Sequence, residues 1–227
     1  MSRPVLKIDK WHDIMPNVKG DGELGIVFRA SSIGHPCPRR LWYESVQGIE
    51  PVFDQRALRI FRMGDLVENL AVEWLREDGW TVFYNAGSQE AEQEVVIPVA
   101  DGVEIRGHHD AIIENGNGPI VVDIKSMNDR AFTEWRRKGT LSKYPQYLDQ
   151  VHVYGKGLGI SRLAICGVNK NNSEYLIESF EFDPQRWAAL EAKALSVATS
   201  LEEPAVPEDL PGWCCSYCSY HGAICRG

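Results

Sequence analysis

The hydrophobic and polar positions of this chain follow two periods. Leu66, Val67, Leu70, Ala71, Trp74 and Leu75 recur at i, i+1, i+4, i+5, i+8 and i+9, the stripe of an amphipathic helix, and predict a helix over residues 55–78. At ~100° per residue, Glu68 falls beside Leu75 on the border of that stripe, where a carboxylate would meet a neighbouring sheet. Gly64, one turn earlier, would let another backbone approach closely. A period of two takes over between Gly107 and Ser126. Read as strand, turn, strand, this stretch places Asp110 on one strand and Asp123 with Lys125 on the next. Ile120, Val122 and Ile124 then point one way, and Val121, Asp123 and Lys125 the other. Asn115-Gly116-Asn117-Gly118 between them is turn chemistry, tolerant of positive φ.

Around this centre the pattern predicts a helix from Arg39 that fades by Gly48, strands over 81–84 and 93–99, and a basic helix over 130–139. A further helix begins at Tyr144-Pro145, strands follow over 162–168 and 175–182, and a closing helix covers 184–200. Residues 1–30 are poorly patterned and rich in loop-forming glycine (Gly20, Gly22, Gly25), and 31–38 read as a loop. A linker with Pro204, Pro207 and Pro211 leads to the C-terminus.

A chain of 227 residues with 44% hydrophobic content can bury one proper core. No apolar run approaches the ~20 residues of a bilayer span, and the Met-Ser-Arg-Pro start lacks a signal-peptide core. A cytoplasmic protein with no membrane segment is the expectation. The net charge of −8 argues against a surface coated for unspecific nucleic-acid binding, but a local basic track is still allowed. Arg56, Arg59 and Arg62 recur every three residues, and Arg130, Arg136, Arg137, Lys138 and Lys143 follow the Asp-x-Lys strand. Ordinary solvated helix faces account for either cluster equally well.

Two carboxylates and a lysine converging on one sheet edge form a hard-oxygen site suited to Mg²⁺ or Mn²⁺. Asp-x-Lys alone is more often a surface pair, and Glu68 alone a helix-surface glutamate, so the weight lies in the combination. Gln146, Gln150 and Tyr154 share a helix face at i, i+4 and i+8, which would suit a groove facing a phosphate backbone or, more commonly, a helix packed by its tyrosine. The six cysteines are lopsided. Cys37 and Cys166 stand alone, whereas Cys214, Cys215, Cys218 and Cys225 crowd the end, which in a reducing cytosol points to metal or cluster ligation over disulfides. Cys37 would open a helix whose dipole favours a thiolate.

The ordered set Gly64-x₃-Glu68, Gly107-x₂-Asp110, Asp123-x-Lys125 and Gln150-x₃-Tyr154 resembles the motifs of RecB-like nucleases of the PD-(D/E)XK superfamily. Cys37 at the head of Cys-Pro-Arg-Arg-Leu-Trp-Tyr, with Cys215-x₂-Cys218-x₆-Cys225, is similar to the iron–sulfur subset of that family. The subset includes the CRISPR-associated exonuclease Cas-four, and phages carry stand-alone relatives. The resemblance spans residues 31–227. It implies that Asp110 and Asp123 bind the catalytic Mg²⁺ or Mn²⁺, that Glu68 completes the metal shell, and that Lys125 orients or activates the attacking water. It implies further that Gln150 and Tyr154 line the DNA groove and that Cys37, Cys215, Cys218 and Cys225 hold a [4Fe–4S] cluster. Many members carry histidine where Glu68 stands, and the last cysteine spacing is one residue longer than the family's. The doubled Cys214-Cys215 leaves the second ligand open, and His221 keeps a Zn²⁺ site available.

The expectation is therefore a single α/β domain over 1–227 with a restriction-endonuclease-like core: a mixed central sheet flanked by helices. Residues 31–48 and 212–227 would form a cysteine clasp. The implied function is a metal-dependent exonuclease of single-stranded DNA ends, in a bacterial or phage-infected cell, with recombination, replication or CRISPR-adaptation partners. Arg side chains and the aromatic rings of Trp42, Trp135 and Tyr147 would contact backbone and bases, although core packing suits Trp42 better. The alternatives are a DNA-end-binding subunit of a larger complex and a zinc-stabilised DNA-binding module.

Overall fold

The computed structural model describes residues 25–85 and 94–226, the side chains of Tyr84 and Asn85 apart. The expectation for residues 1–24 lies outside the described residues, as does the first position of the strand expected over 93–99. The chain opens with β1 (Ile26–Arg29), α1 (Ala30–Ile33) and α2 (Pro38–Leu41), which runs into a π-helical turn (Trp42–Val46). Next come α3 (Gln55–Glu77), β2 (Thr81–Asn85), β3 (Val95–Ala100), β4 (Val103–Gly107), β5 (Ala111–Glu114) and β6 (Ile120–Met127). The second half holds α4 (Asp129–Lys138), α5 (Thr140–Lys143), α6 (Pro145–Leu158), β7 (Arg162–Asn169), β8 (Tyr175–Glu181), α7 (Pro184–Ala198) and α8 (Gly212–Ser216).

Among the described residues the strands form two mixed sheets where one was expected. A five-stranded sheet runs β2-β5-β6-β7-β8, with β6 and β7 parallel and the other pairs antiparallel. A three-stranded sheet runs β1-β4-β3, with β1 and β4 parallel. The split arises because β4 ends at Gly107 and the chain crosses to the other sheet through His108-His109-Asp110. Four-residue β1 is too short to leave a periodic signature, and its partner β4 is far away in sequence. Asp110 accordingly precedes β5 and is not on a strand.

The large sheet is covered on both faces. Ile120, Val122 and Ile124 pack with Ala164, Cys166 and Val168 against Val67, Ala71, Val72 and Leu75 of α3. Val121, Leu163 and Ile165 face the opposite core, which contains Val151 and Tyr154 of α6, Trp135 of α4 and Leu190 of α7. The period-two split of β6 is thus correct, but the strand is buried on both sides (residues 120–124 are all buried) and not half solvated. The helix α3 starts where Asp54 Oδ1 accepts the Ala57 N–H at 2.7 Å. Its buried face is rotated from the expected stripe. Val72 is buried, whereas Leu66 (51% exposed) and Leu70 (44%) face outward. Correcting for this rotation moves Glu68 from the border into the inner face. At Gly64 an added Cβ would meet nothing within 4 Å among the described residues, so none of them makes the expected close approach. Gly107 is where it occurs: a Cβ there would lie 2.6 Å from Ala30 Cβ and 3.1 Å from Tyr154 Cε1.

Candidate active site

The site forms where two paired strands part. The β5–β6 ladder ends with Ala111 opposite Val122, while β6 continues alongside β7 as far as Met127. Beyond Val122 the free edge of β6 has no backbone partner from β5, and a side chain takes its place: the Ile124 N–H donates to Asp110 Oδ2 at 2.6 Å. Asp123 and Lys125 project from the same short segment of β6, and Glu68 reaches the fork from α3.

Asp123 has no exposed surface. Lys125 Nζ stands 2.6 Å from its Oδ2, yet neither carboxylate oxygen accepts a hydrogen bond of proper geometry among the described residues. The contact is therefore a close charge pair that leaves lone pairs unused. Burial raises the Asp123 pKa, and Lys125 only partly opposes it. Burial likewise lifts Asp110 well above the usual carboxylate range, aided by the charges of Asp123 and Glu68. Glu68 is pushed up to about 7, by burial first and then by Asp123 and Asp65. For Lys125 burial acts downward, but the carboxylates of Asp123 and Asp110 outweigh it, and the ammonium is held above its ordinary range. One buried and two half-buried acids sharing one lysine are short of positive charge.

Several participants were not singled out from sequence. Asp65, one turn before Glu68, is pushed up to about 6 by burial. His109, immediately before Asp110, is buried and pushed down to about 4 by burial and by His108, with its ring 6.3 Å from that of Tyr154. The His-His-Asp run was the available signal. Tyr147, expected among the base-stacking rings, instead lies with its ring centroid 5.1 Å from Lys125 Nζ and stacks on Tyr144 at 4.9 Å. Trp135 is buried in the core and donates its Nε1–H to Thr140 Oγ1 at 2.7 Å, so it cannot reach a base. Trp42 is half-buried, as packing suggested, with Nε1 donating to Ser200 O at 3.2 Å.

Gln150 and Tyr154 face inward. Gln150 Nε2 donates to Tyr154 Oη at 2.8 Å, and both side chains are buried. The bond runs along α6 itself, on the side of the helix turned into the fold. The basic cluster after β6 is largely paired: Arg130 and Lys143 with Glu134, and Arg136 with Glu174 at 2.8 Å.

Cys37, Cys214, Cys215, Cys218 and Cys225 line one cavity together with His35. All are free thiols. Cys37 caps α2, but the thiolate expected from a helix dipole is not favoured, because burial raises its pKa and a helix of four residues has little dipole to offer. Arg39 Nη1 donates to Cys225 Sγ at 3.7 Å. His35 Nδ1 accepts the Cys37 N–H at 3.1 Å, and its buried Nε2 has no hydrogen-bond partner among the described residues. The donor chemistry at each site fits a metal group: hard carboxylate oxygens at the fork, soft sulfurs in the cavity. Among the described residues, no group of three or more His, Cys, Asp or Glu side chains is closed to the geometry that would hold an ion.

Asp110, Asp123 and Lys125 stand with Glu68 at the fork of a mixed sheet that is covered by helices on both faces. The sequence profile of the PD-(D/E)XK nuclease superfamily matches residues 70–226, and the chain belongs to that superfamily. Asp110, Asp123, Lys125, Gln150 and Tyr154 fall within the matched span, whereas Glu68 and Cys37 precede it. No curated protein shows a significant sequence match. Among solved structures, the crystal structure of SSO0001 is similar with a TM-score of 0.56 at 18% identity, covering 90% of this chain and 88% of that one. The alkaline exonuclease LHK-Exo of Laribacter hongkongensis matches with a TM-score of 0.53 at 15% identity, covering 74% and 84%. The same enzyme in complex with dAMP gives a TM-score of 0.53 at 14% identity, covering 75% and 85%. These likenesses concern the fold.

Proposed function

We propose that this protein is a Mg²⁺- or Mn²⁺-dependent exonuclease that hydrolyses phosphodiester bonds at single-stranded DNA ends. The observation that carries the reading is Asp123: fully buried, beside Asp110 and Glu68, with Lys125 as its close charge partner and neither oxygen accepting a hydrogen bond of proper geometry among the described residues. Such an arrangement is unfavourable as a structural device and becomes favourable once a cation enters. Asp110, Asp123 and Glu68 would hold the ion. When bound, it neutralises the acids, polarises the phosphate and lowers the pKa of water.

The chain's own groups divide the remaining work. Lys125 keeps its proton across the physiological range, so it orients the attacking water and offsets phosphate charge instead of removing a proton. The Ile124–Asp110 hydrogen bond fixes one carboxylate rotamer. Gln150 and Tyr154 are buried on the inner face of α6 and bonded to each other along that helix. The likeness to an alkaline exonuclease favours end-directed cutting, and the protein would act in the cytoplasm of a bacterial or phage-infected cell. Among the described residues no helix is long and apolar enough to cross a membrane.

Cys37, Cys215, Cys218 and Cys225 are further proposed to hold a [4Fe–4S] cluster, with Zn²⁺ as the competing occupant; five thiols and one open imidazole nitrogen around a single cavity support this. End-labelled single strands, blocked at the 5′ or the 3′ terminus and incubated with Mg²⁺ or Mn²⁺, test the activity. Ladder-like shortening from one terminus is expected. Binding without cleavage in either metal would instead make the protein an end-holding subunit.

A further inference from the structure

On α3, the face turned away from Glu68 is apolar in the middle and charged at both ends. Met63, Leu66 and Leu70 are 50%, 51% and 44% exposed. At ~100° per residue they share one arc with Arg56 and Arg59 towards the helix start and with Glu73 and Glu77 towards its end. All four charged residues are exposed. The alternating spacing of three and four along this line is that of a coiled-coil seam. The core uses the other side of the helix, through Val67, Ala71, Val72 and Leu75. From Arg59 to Met63 every side chain is exposed.

The order of the charges is the second observation. A helix favours anions at its N-terminal end and cations at its C-terminal end. Along this face α3 has the reverse, arginines first and glutamates last. Each group is therefore misplaced within its own helix. Two α3 helices laid antiparallel would correct both ends at once.

We propose that α3 is a self-association surface, on which two copies of this chain pair antiparallel about a two-fold axis. Arg56 and Arg59 then lie against the acidic end of the partner helix, and Met63, Leu66 and Leu70 meet in the middle. A two-fold axis requires one patch to complement itself, and a strip charged oppositely at its two ends around an apolar centre does so. A nucleic-acid strand fits the face less well, because Glu73 and Glu77 would repel its phosphates. The seam lies across the helix from Glu68, so pairing leaves the fork between β5 and β6 open.

Sedimentation velocity of the full chain over a wide concentration range, in the presence of a chelator, reads the equilibrium directly. A dimer is expected, and Leu66→Lys should leave a monomer with unchanged circular dichroism. Arg56→Glu with Arg59→Glu, or Glu73→Arg with Glu77→Arg, should each raise the dissociation constant by about tenfold or more, since like charges then face each other at both ends. Combining all four reversals should restore wild-type association, which no general damage to folding would do. A monomeric wild type, a dimer indifferent to the reversals, or reversals that fail to rescue each other would overturn the proposal. Loss of single-strand binding on Arg reversal in a monomeric protein would assign the face to nucleic acid instead. Cleavage by the Leu66→Lys monomer is measured separately, so the nuclease reading stands or falls independently.

Discussion

The Ile124 N–H donates to Asp110 Oδ2 at 2.6 Å across the gap where β5 leaves β6. One carboxylate thus completes the hydrogen bonding of the sheet edge and also stands in the acidic cluster. Its neighbour Asp123 has no such backbone duty.

The two acids should therefore behave differently when replaced. Both Asp110→Ala and Asp123→Ala are expected to abolish cleavage. In chelator, Asp123→Ala should match or exceed wild-type stability, because it relieves a self-repelling cluster. Asp110→Ala should lose about 1–3 kcal/mol, the usual cost of leaving a buried N–H unpaired. Asp110→Asn keeps an acceptor and should fold like wild type while remaining inactive. Thermal unfolding of the three purified variants checks this. Wild-type stability in Asp110→Ala would mean that the hydrogen bond contributes nothing.

Lys125 separates chemistry from metal binding. Lys125→Ala is expected to lose hydrolysis and keep Mn²⁺ binding by calorimetry, since a charged ammonium does not ligate. Tyr147, whose ring centroid is 5.1 Å from Nζ, should act through that lysine. Tyr147→Phe keeps the ring and should be close to neutral. Tyr147→Ala should lower kcat by roughly tenfold with little change in KM, the scale of a partly desolvated cation–π contact of about 1–2 kcal/mol. A KM effect without a kcat effect would place Tyr147 on the substrate.

The raised carboxylates make the metal-free protein sensitive to pH. Glu68, pushed up to about 7 in the fold, binds protons there that the unfolded chain releases nearer pH 4.5. In that window the native state holds more protons, so its stability falls as pH rises from about 4.5 to 7, by up to about 3 kcal/mol for this group. His35 and His109, held down at about 3 and 4 by burial, pull the other way below pH 6.5. The difference between wild type and Glu68→Gln isolates the glutamate. Wild type should lose stability relative to the variant as pH rises through the window, and saturating Mg²⁺ should remove the trend. Parallel curves in chelator would show that the fold leaves the Glu68 pKa unshifted.

The parts of this site legible in sequence were those with local signatures. Asp123-x-Lys125 sits in a period-two run, and the turn glycines Gly116 and Gly118 take φ of +92° and +93° as expected. What escaped was non-local. Strand β1 pairs in parallel with β4 across the whole of α3 and β2, and nothing in Ile26–Arg29 alone announces such a partner. The stripe on α3 was drawn through the largest apolar residues, yet Leu66 and Leu70 lie on the outside and the small Ala71 and Val72 inside. Size does not decide which side of a helix meets the sheet. Gln150 and Tyr154 had the right spacing to share a face, but periodicity alone cannot distinguish a face turned to solvent from one turned to the core.

The cysteine cavity joins residue 37 to the last turn of the chain, and its prediction separates the competing occupants. If a [4Fe–4S] cluster is held there, protein purified without oxygen should be brown, and Cys37→Ser should remove iron, sulfide and colour together. Melting temperature should drop substantially, because the ligation closes a long loop. Cys166 is the control. It is fully buried in β7, with a thiol pushed up to about 12 by burial, so Cys166→Ser should leave iron content unchanged. Cys214 and Cys215 are adjacent, the first buried and pushed up to about 11, the second half-buried. Cys215 is the less buried of the two and so the more open to an incoming ion. Cys215→Ser should therefore deplete iron while Cys214→Ser spares it. Zn²⁺ in colourless protein, with the same dependence on Cys37, would keep the clasp and replace its occupant. Full iron content in Cys37→Ser would detach the two ends of the chain and remove the cluster reading altogether.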